Sequence, residues 1–255
     1  MQKNNIIGGA IVLMAILGIV FYAATQPDKR EVTKPSTTLP DTGYSEHAKY
    51  YDITANYATS TPLLQTVGKQ YDTSAKELMH AFVSNTITAF KSEGNFENLT
   101  AEDVKMMGFD QGRKEKLNIV YMTAVSNRSI SYIFTIYTDT FGAHGNLDFG
   151  TFTFDVKTGD RLKLGDIFMP GTNYLETLSL LSQSKLPAVI GQRADTSTIN
   201  KGTAPEENNF ERFFLDTKEL VLLFPPYQVA AYSEGPQTLR IPLTELSSIL
   251  KPEYR

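Results

Sequence analysis

The chain has 255 residues, a formal net charge of −4 and no cysteine. Without cysteine it forms no disulfide and has no thiolate chemistry, which is typical of an exported bacterial protein that relies on a packed core. After residue 43, 20 Lys and Arg face 25 Asp and Glu, with no basic run. This charge pattern argues against nucleic acid as a partner.

The first predicted element is a membrane anchor at residues 6–25. These residues carry no charge, and as a helix they would span about 30 Å, the thickness of a bilayer's hydrocarbon core. A cleaved signal peptide is the alternative, but cleavage after Ala24 would place the bulky Tyr22 where a small residue is required. Basic residues lie on both sides of the segment. Because residues 1–5 form only a short tail, we expect them in the cytoplasm and the domain outside a single-pass anchor in the cell membrane.

Residues 26–47 are rich in proline, threonine, serine and charge, which predicts an extended linker. Within it, residues 39–43 match the LPxTG pattern read by sortases. A sorting signal precedes an apolar segment at the C-terminus, whereas in this chain the apolar segment comes first, so we interpret the match as chance. Residues 48–255 are predicted to form one extracytoplasmic domain, with an N-terminal part at 48–115 and a motif-bearing part at 116–255.

The pattern of apolar residues predicts the elements of the N-terminal part. Alternation indicates a strand at residues 50–60. Helical periodicity indicates a helix at 72–91, which Asp72 or Thr73 could cap. A short second helix is expected from Thr100, where a capping-box pattern begins.

Beyond residue 116 the apolar period changes from about 3.6 to about 2. Three strands joined by short turns predict an antiparallel meander at residues 117–156. The remaining expected elements are a helix from Thr172, a polar loop at 192–209, a hairpin at 213–224, a strand at 237–242 and a helix at 243–250. The predicted fold class is therefore α+β, in which helices pack on a mainly antiparallel sheet made of the meander and a C-terminal hairpin.

No residue pattern in the sequence predicts catalysis. The three histidines, His47, His80 and His144, lack the spacing of metal ligands. The sequence has no nucleophile elbow, phosphate-binding loop or dinucleotide fingerprint. His80 has polar neighbours on its predicted helix, so we interpret it as a solvated histidine. We expect a protein that is not an enzyme and that needs no metal or cofactor.

His144 is the ionisable residue that most merits a binding role. It lies in a predicted turn with glycines on both sides, and turn residues supported by a rigid sheet often carry function. Asp139 and Asp148 flank the turn, and either could hold the imidazole. A turn histidine with a purely structural role is the alternative interpretation.

The loop at residues 224–236 is the second candidate. Its prolines remove backbone donors and fix φ, and it carries two tyrosines and a glutamate. A stiff loop of this kind can present a contact surface, although it can equally be a packed crossover. The candidate ligand-binding residues are therefore His144, Asp148, Tyr227, Tyr232 and Glu234.

Several separated motifs resemble one exported bacterial domain of unknown function. They are FGAHG at 141–145, FTFD at 152–155 with KTG at 157–159, LGDIF at 164–168, FPPYQVA at 224–230, GP at 235–236 and IP at 241–242. Over about residues 50–250 the chain is similar to the outer half of the lysozyme-sensing anti-sigma factor of Gram-positive bacteria. A related N-terminal region accompanies some peptidoglycan deacetylases. In the anti-sigma factor, the resemblance implies that this domain binds lysozyme in trans.

The departures from this family pattern limit what the resemblance implies. Five cytoplasmic residues are too few to hold a sigma factor, so none is expected as a partner. No catalytic domain with metal-binding histidines follows, as a deacetylase would need. The resemblance therefore implies a membrane-tethered binding or sensing domain whose partner is a cell-surface protein or a cell-wall component, such as lysozyme or the wall polymer. The alternatives are an accessory envelope protein with membrane-protein partners only and an enzyme of unrecognised type.

Overall fold

The computed structural model of the chain describes residue 39 and residues 43–255. The predicted cytoplasmic tail at 1–5, the predicted anchor at 6–25 and most of the predicted linker at 26–47 lie outside these residues. Among the residues that the structure describes, no helix has both the length and the apolar character needed to cross a membrane.

The larger of two sheets has six strands. They are β1 (Tyr44–His47), β2 (Tyr51–Ala55), β3 (Glu115–Val125), β4 (Ser129–Asp139), β5 (Asn146–Asp155) and β6 (Arg161–Leu162), and they lie in sequence order across the sheet. Neighbouring strands are antiparallel except β2 and β3, which pair in parallel. The strands β3, β4 and β5 form a meander because their β-branched and aromatic residues favour strands and short turns join them.

The smaller sheet has three antiparallel strands, β7 (Phe213–Leu215), β8 (Glu219–Phe224) and β9 (Gln237–Pro242). Five α-helices accompany the two sheets in the described part of the chain. They are α1 (Pro62–Gln65), α2 (Lys69–Gly94), α3 (Ala101–Met106), α4 (Tyr174–Ile190) and α5 (Thr196–Gly202).

The two sheets are stacked between helices, which gives four layers. On one face of the larger sheet, α2 buries Met79 and Val83 among Ile119 and Phe134. The other face packs on the smaller sheet, where Ile133 lies in one cluster with Phe214, Val221 and Leu223. The far face of the smaller sheet packs on α4 and α5 through a cluster that includes Leu178, Ile199, Leu222 and Ile241. Strand β8 alternates between the two clusters because successive side chains of a strand point to opposite faces.

The predicted α+β class with mainly antiparallel strands is confirmed, but the predicted single sheet is wrong: the C-terminal hairpin lies in the smaller sheet and the meander in the larger one. Several elements also differ from the prediction. Strand β1 lies inside the segment predicted as linker, and the predicted strand at 50–60 ends at Ala55. The predicted polar loop at 192–209 contains α5, which begins where the Asp195 carboxylate accepts the Thr198 N–H at 2.7 Å. In place of the predicted helix at 243–250 there is a short 3-10 turn, Leu243–Leu246.

Two predicted roles on α2 are also corrected. The helix begins at Lys69, so Asp72 is not its cap; the Asp72 carboxylate instead accepts the Thr61 N–H at 2.8 Å. His80 is half-buried rather than solvated, because its ring meets the buried Tyr57 edge-to-face at 4.8 Å between centroids. A capping box at the start of α3, in which Thr100 and Asp103 exchange hydrogen bonds, agrees with the predicted start of that helix.

Candidate functional site

The turn that carries His144 joins β4 to β5 at one end of the larger sheet. Phe141 has a φ of 59°, in the left-handed region that few non-glycine residues adopt. The carboxylate of Asp139 holds this conformation by accepting the Phe141 N–H at 3.2 Å. At Gly145 a Cβ would lie 2.3 Å from the Tyr137 hydroxyl oxygen, so glycine is what lets that ring pack on the turn.

The loop that carries Tyr227 leaves β8 through two prolines. The Gln228 N–H donates to the Pro225 carbonyl at 3.2 Å, and Tyr227 has a φ of 72°. Proline at the second position and a positive φ at the third are the pattern of a type II turn, which normally takes glycine at the third position. Tyr227 therefore occupies a strained backbone position while 61% of its surface is exposed.

The structure brings His144, Tyr227 and Tyr232 together, and we call these three residues the ring cluster. The His144 ring stacks on Tyr232 with centroids 3.4 Å apart and planes at 13°. Its Nε2 lies 2.9 Å from the Tyr227 hydroxyl, and its Nδ1 lies 2.9 Å from the Gly145 carbonyl oxygen. The Tyr232 hydroxyl donates to the same carbonyl. Tyr227 and Tyr232 thus both connect the loop to the turn that carries His144.

These partners fix the tautomer of His144. A carbonyl oxygen can only accept, so Nδ1 carries the proton that goes to Gly145. In the neutral ring, Nε2 then accepts from the Tyr227 hydroxyl. Both ring nitrogens are therefore engaged, and neither flanking carboxylate holds the imidazole, contrary to our interpretation of Asp139 and Asp148.

The base of the Tyr227 loop is anchored by Gln228. Its side-chain amide donates to the Gly202 carbonyl at 3.0 Å and to the Asn209 carbonyl at 2.9 Å. Gly202, at the end of α5, approaches so closely that a Cβ there would lie 1.9 Å from the Gln228 carbonyl oxygen. Val229 is buried directly after this anchor. The amino-acid sequence carries one signal of this contact, because a glycine permits close approach of another backbone. No pattern in the sequence indicates that Gln228 is the partner.

The other two candidate residues have different surroundings. Asp148 is buried, and its carboxylate pairs with Arg212 through Nε and Oδ1 at 3.0 Å, beside the junction of the two sheets. Glu234 follows Tyr232 in a 3-10 turn and pairs with the exposed Arg193 at 2.8 Å. The hydrogen bond from Arg193 holds the pKa of Glu234 below its ordinary value. Glu234 is thus close in sequence to Tyr232 of the ring cluster and pairs with Arg193. Asp148 instead pairs with Arg212.

The ring cluster offers aromatic faces, two tyrosine hydroxyls and little charge. Such a surface can contact a sugar ring or an apolar protein side chain by packing and hydrogen bonding. Among the described residues, no group of three or more histidine, aspartate or glutamate side chains has an arrangement that could hold a metal ion.

Comparison with known proteins identifies relatives of this chain. Residues 165–244 match the family described as a protein of unknown function, DUF3298. The peptidoglycan-N-acetylmuramic acid deacetylase PdaC of Bacillus subtilis is 29% identical over 202 residues, which are 79% of this chain and 40% of PdaC. The chain thus spans well under half the length of the curated relative that it matches. Tyr227 and Tyr232 lie inside the DUF3298 match and His144 lies before it.

A solved structure shows the same fold. A DUF3298 family member from Bacteroides fragilis superposes with a TM-score of 0.58 and 20% identity, over 83% of this chain and 92% of that chain. A DUF3298 family protein from Pseudomonas aeruginosa gives a TM-score of 0.41 at 17% identity, over 61% of this chain and 71% of that chain. The predicted resemblance to a bacterial domain of unknown function that is related to a peptidoglycan deacetylase is therefore confirmed.

Proposed function

We propose that this chain is a membrane-tethered extracytoplasmic binding or sensing domain. Its ligand is a cell-wall hydrolase such as lysozyme, or the cell-wall polymer itself. The relationship to PdaC, which is named for its action on peptidoglycan, supports the cell wall as the setting. The uncharged segment at residues 6–25 supports the tether.

The observation that carries the proposal is the ring cluster. Two segments that are 83 residues apart meet through the His144–Tyr227 hydrogen bond and leave Tyr227 largely exposed. The prolines, the type II turn at Tyr227 and the hydrogen bonds of Gln228 order the Tyr227 loop in the absence of a ligand. A loop that is already ordered loses little conformational entropy on docking, and tyrosine supplies a large contact area with few rotatable bonds.

Binding explains this arrangement better than catalysis does. The His144 Nδ1–H donates to a backbone carbonyl, and in the part of the chain that the structure describes no carboxylate hydrogen-bonds its ring to orient it as a general base. The named activity of PdaC belongs to a protein of which this chain spans 40%. An accessory role among envelope proteins is the second candidate, and it predicts partners within the same membrane rather than a wall component.

Protease treatment of intact spheroplasts tests the topology. With the domain outside, added protease should degrade residues 44–255 while a cytoplasmic marker stays intact. Full protection would show the opposite orientation. A soluble form that begins near Gln26 would show a cleaved signal instead of an anchor.

Binding is tested on the full chain in neutral detergent, with lysozyme and soluble muropeptides as probes in calorimetry. Tyr227→Ala should weaken binding by about 1–3 kcal/mol because it removes an exposed aromatic contact. Leu180→Ala is the matched control, since Leu180 is also an exposed apolar residue, at 57%, but lies on α4. Normal binding by a folded Tyr227→Ala variant would place the site elsewhere. If neither probe binds, crosslinking in cells distinguishes the accessory role.

A further inference from the structure

A cleft lies at the end of the larger sheet where β2 and β3 begin, beside the turn that follows β4. Its lining includes Asp52, Arg113, Lys114, Lys116, Asp139 and Phe141. The three cations come from one short stretch at the start of β3, in a chain that is acidic overall. The cleft shares the turn after β4 with His144 but contains none of the ring cluster.

Arg113 is held in place from two sides. Its guanidinium carbon lies 3.9 Å from the centroid of the Phe141 ring. Its stem packs over Gly108, where a Cβ would lie 2.8 Å from the Arg113 Cδ. The backbone N–H of Arg113 also donates to the Gly108 carbonyl at 3.2 Å. The rotamer of this long side chain is therefore restricted before a ligand binds, which lowers the entropy lost on binding.

The carboxylates near Arg113 have other partners. Asp52 accepts from Lys114 at 3.0 Å and also contacts His47 at 3.0 Å. Asp139 accepts the backbone N–H of Phe141. Neither Arg113 nor Lys116 forms an ion pair with any residue in the described part of the chain.

A guanidinium stacked on an aromatic ring keeps the N–H groups along its edge available. That edge matches a carboxylate or a phosphate, which it can bind through two parallel hydrogen bonds. The left-handed φ of 59° at Phe141 is a backbone strain that positions the supporting ring.

We propose that this cleft is an oxyanion-binding site. Arg113 binds a carboxylate or a phosphate group of the ligand in a bidentate manner, and Lys116 adds positive charge at the rim. The proposal does not depend on the ring cluster, because it concerns different side chains.

The test uses the full chain in neutral-detergent micelles and two probes, inorganic phosphate and acetate. Binding is followed by NMR at constant ionic strength. The phosphorus signal of phosphate and the methyl proton signal of acetate should broaden as each probe binds. We expect saturable binding of one or both probes, and about a tenfold loss of affinity in Arg113→Gln, as for a lost charge-assisted hydrogen bond. Saturation by phosphate alone or by acetate alone identifies the class of oxyanion.

Arg161→Gln is the matched control. Arg161 also lies by a phenylalanine, with its guanidinium carbon 5.0 Å from the Phe152 centroid, but outside the cleft. Its substitution should leave both affinities unchanged. Lys116→Gln, on the exposed side of β3, provides a second variant should Arg113→Gln fail to fold, with an expected loss of a few fold. The proposal is overturned if neither probe saturates, if the folded cleft variants bind as the wild type does, or if Arg161→Gln loses as much affinity.

Discussion

At the scale of single residues, the backbone of Tyr227 is the most unusual feature of the ring cluster. A left-handed conformation costs a non-glycine residue about 1–2 kcal/mol, and the φ of 72° falls in that region. The ring is nevertheless kept at the tip of the turn, where it contacts His144 and solvent. Residues of this kind are often retained for what the side chain does rather than for stability.

Two substitutions at this position should separate backbone strain from side-chain function. Tyr227→Gly should be more stable than Tyr227→Ala by about 1 kcal/mol, because only glycine relieves the left-handed strain. Both should lose the ring's contribution to binding. Urea unfolding measures the difference. At Tyr232, which has no positive φ, the order should be reversed; the same order at both positions would contradict the strain argument.

Glu115 leads to a prediction about pH. It is 3% exposed at the start of β3, and burial, with Asp139 nearby, raises its pKa from 4.5 to about 7. Between these values the folded state binds the proton that the unfolded state has released. Stability therefore falls as the pH rises through that range.

Replacing this carboxylate with an amide should remove the pH effect. Glu115→Gln should be more stable than the wild type at pH 8 by roughly 1–3 kcal/mol, and nearly equal at pH 5, where the buried carboxyl is already neutral. Urea unfolding at both pH values measures this. Glu102→Gln, on the exposed face of α3, should have little effect at either pH. A gain of the same size at pH 5 and pH 8 would contradict the assignment.

At the scale of elements, the contact between α5 and the Tyr227 loop controls the shape of the candidate site. Gly202→Ala should displace the Gln228 carbonyl, because a Cβ would lie 1.9 Å from its oxygen. We expect a loss of stability of about 1–3 kcal/mol and weaker ligand binding, as for overpacking at a close contact. Thermal unfolding and calorimetry measure the two effects.

Gly142→Ala is the control for this substitution. At Gly142, in the His144 turn, the nearest atom to a Cβ would be the His144 carbonyl oxygen at 3.7 Å. This variant should therefore be close to the wild type in both measurements. If Gly202→Ala matched it, the loop would be free to adjust, and the anchor would not determine its position.

The sequence predicts local elements well and non-local ones poorly. Strands β3 to β5 are joined by short turns, so their alternation and turn residues are enough to predict a meander. The parallel pairing of β2 with β3 is not encoded by any local pattern, because a long helical segment separates the two strands. Strand β1 is short and polar, and its register depends on β2, so its composition resembles that of a linker.

The same limit applies to the candidate site. The glycines around His144 and the prolines before Tyr227 indicate two stiff surface segments. No pattern in the sequence indicates that they touch, because the contact depends on how the two sheets stack. The Asp148–Arg212 pair has the same origin: the strand pattern identifies an aspartate near the turn, but its partner immediately precedes the first strand of the other sheet.

At the scale of the whole molecule, the junction between the sheets joins the two halves of the described chain. Phe214 of the smaller sheet packs with Ile133 of the larger one in a buried hydrophobic cluster. Phe214→Ala should reduce the free energy of unfolding by about 3–5 kcal/mol, as is typical of a buried phenylalanine. Met122→Ala is the control, because Met122 lies opposite Ile133 on the adjacent strand but is 57% exposed.

This junction also predicts one cooperative unfolding transition in the wild type. Circular dichroism and tyrosine fluorescence should give the same urea midpoint, because neither sheet can unfold without exposing the shared cluster. Two separate midpoints in the wild type would show that the sheets are independent units.

The parallel pairing of β2 with β3 has a consequence for folding kinetics. Their paired residues, such as Ile53 and Leu117, can meet only after the chain between them has closed a long loop, whereas the β3–β4–β5 meander closes short ones. During synthesis β2 therefore emerges long before β3, and the backbone groups along its β3-facing edge stay unpaired until β3 has been made. We infer that the β1–β2 hairpin joins the sheet late, and that amide protons in β2 acquire protection from exchange after those in β4.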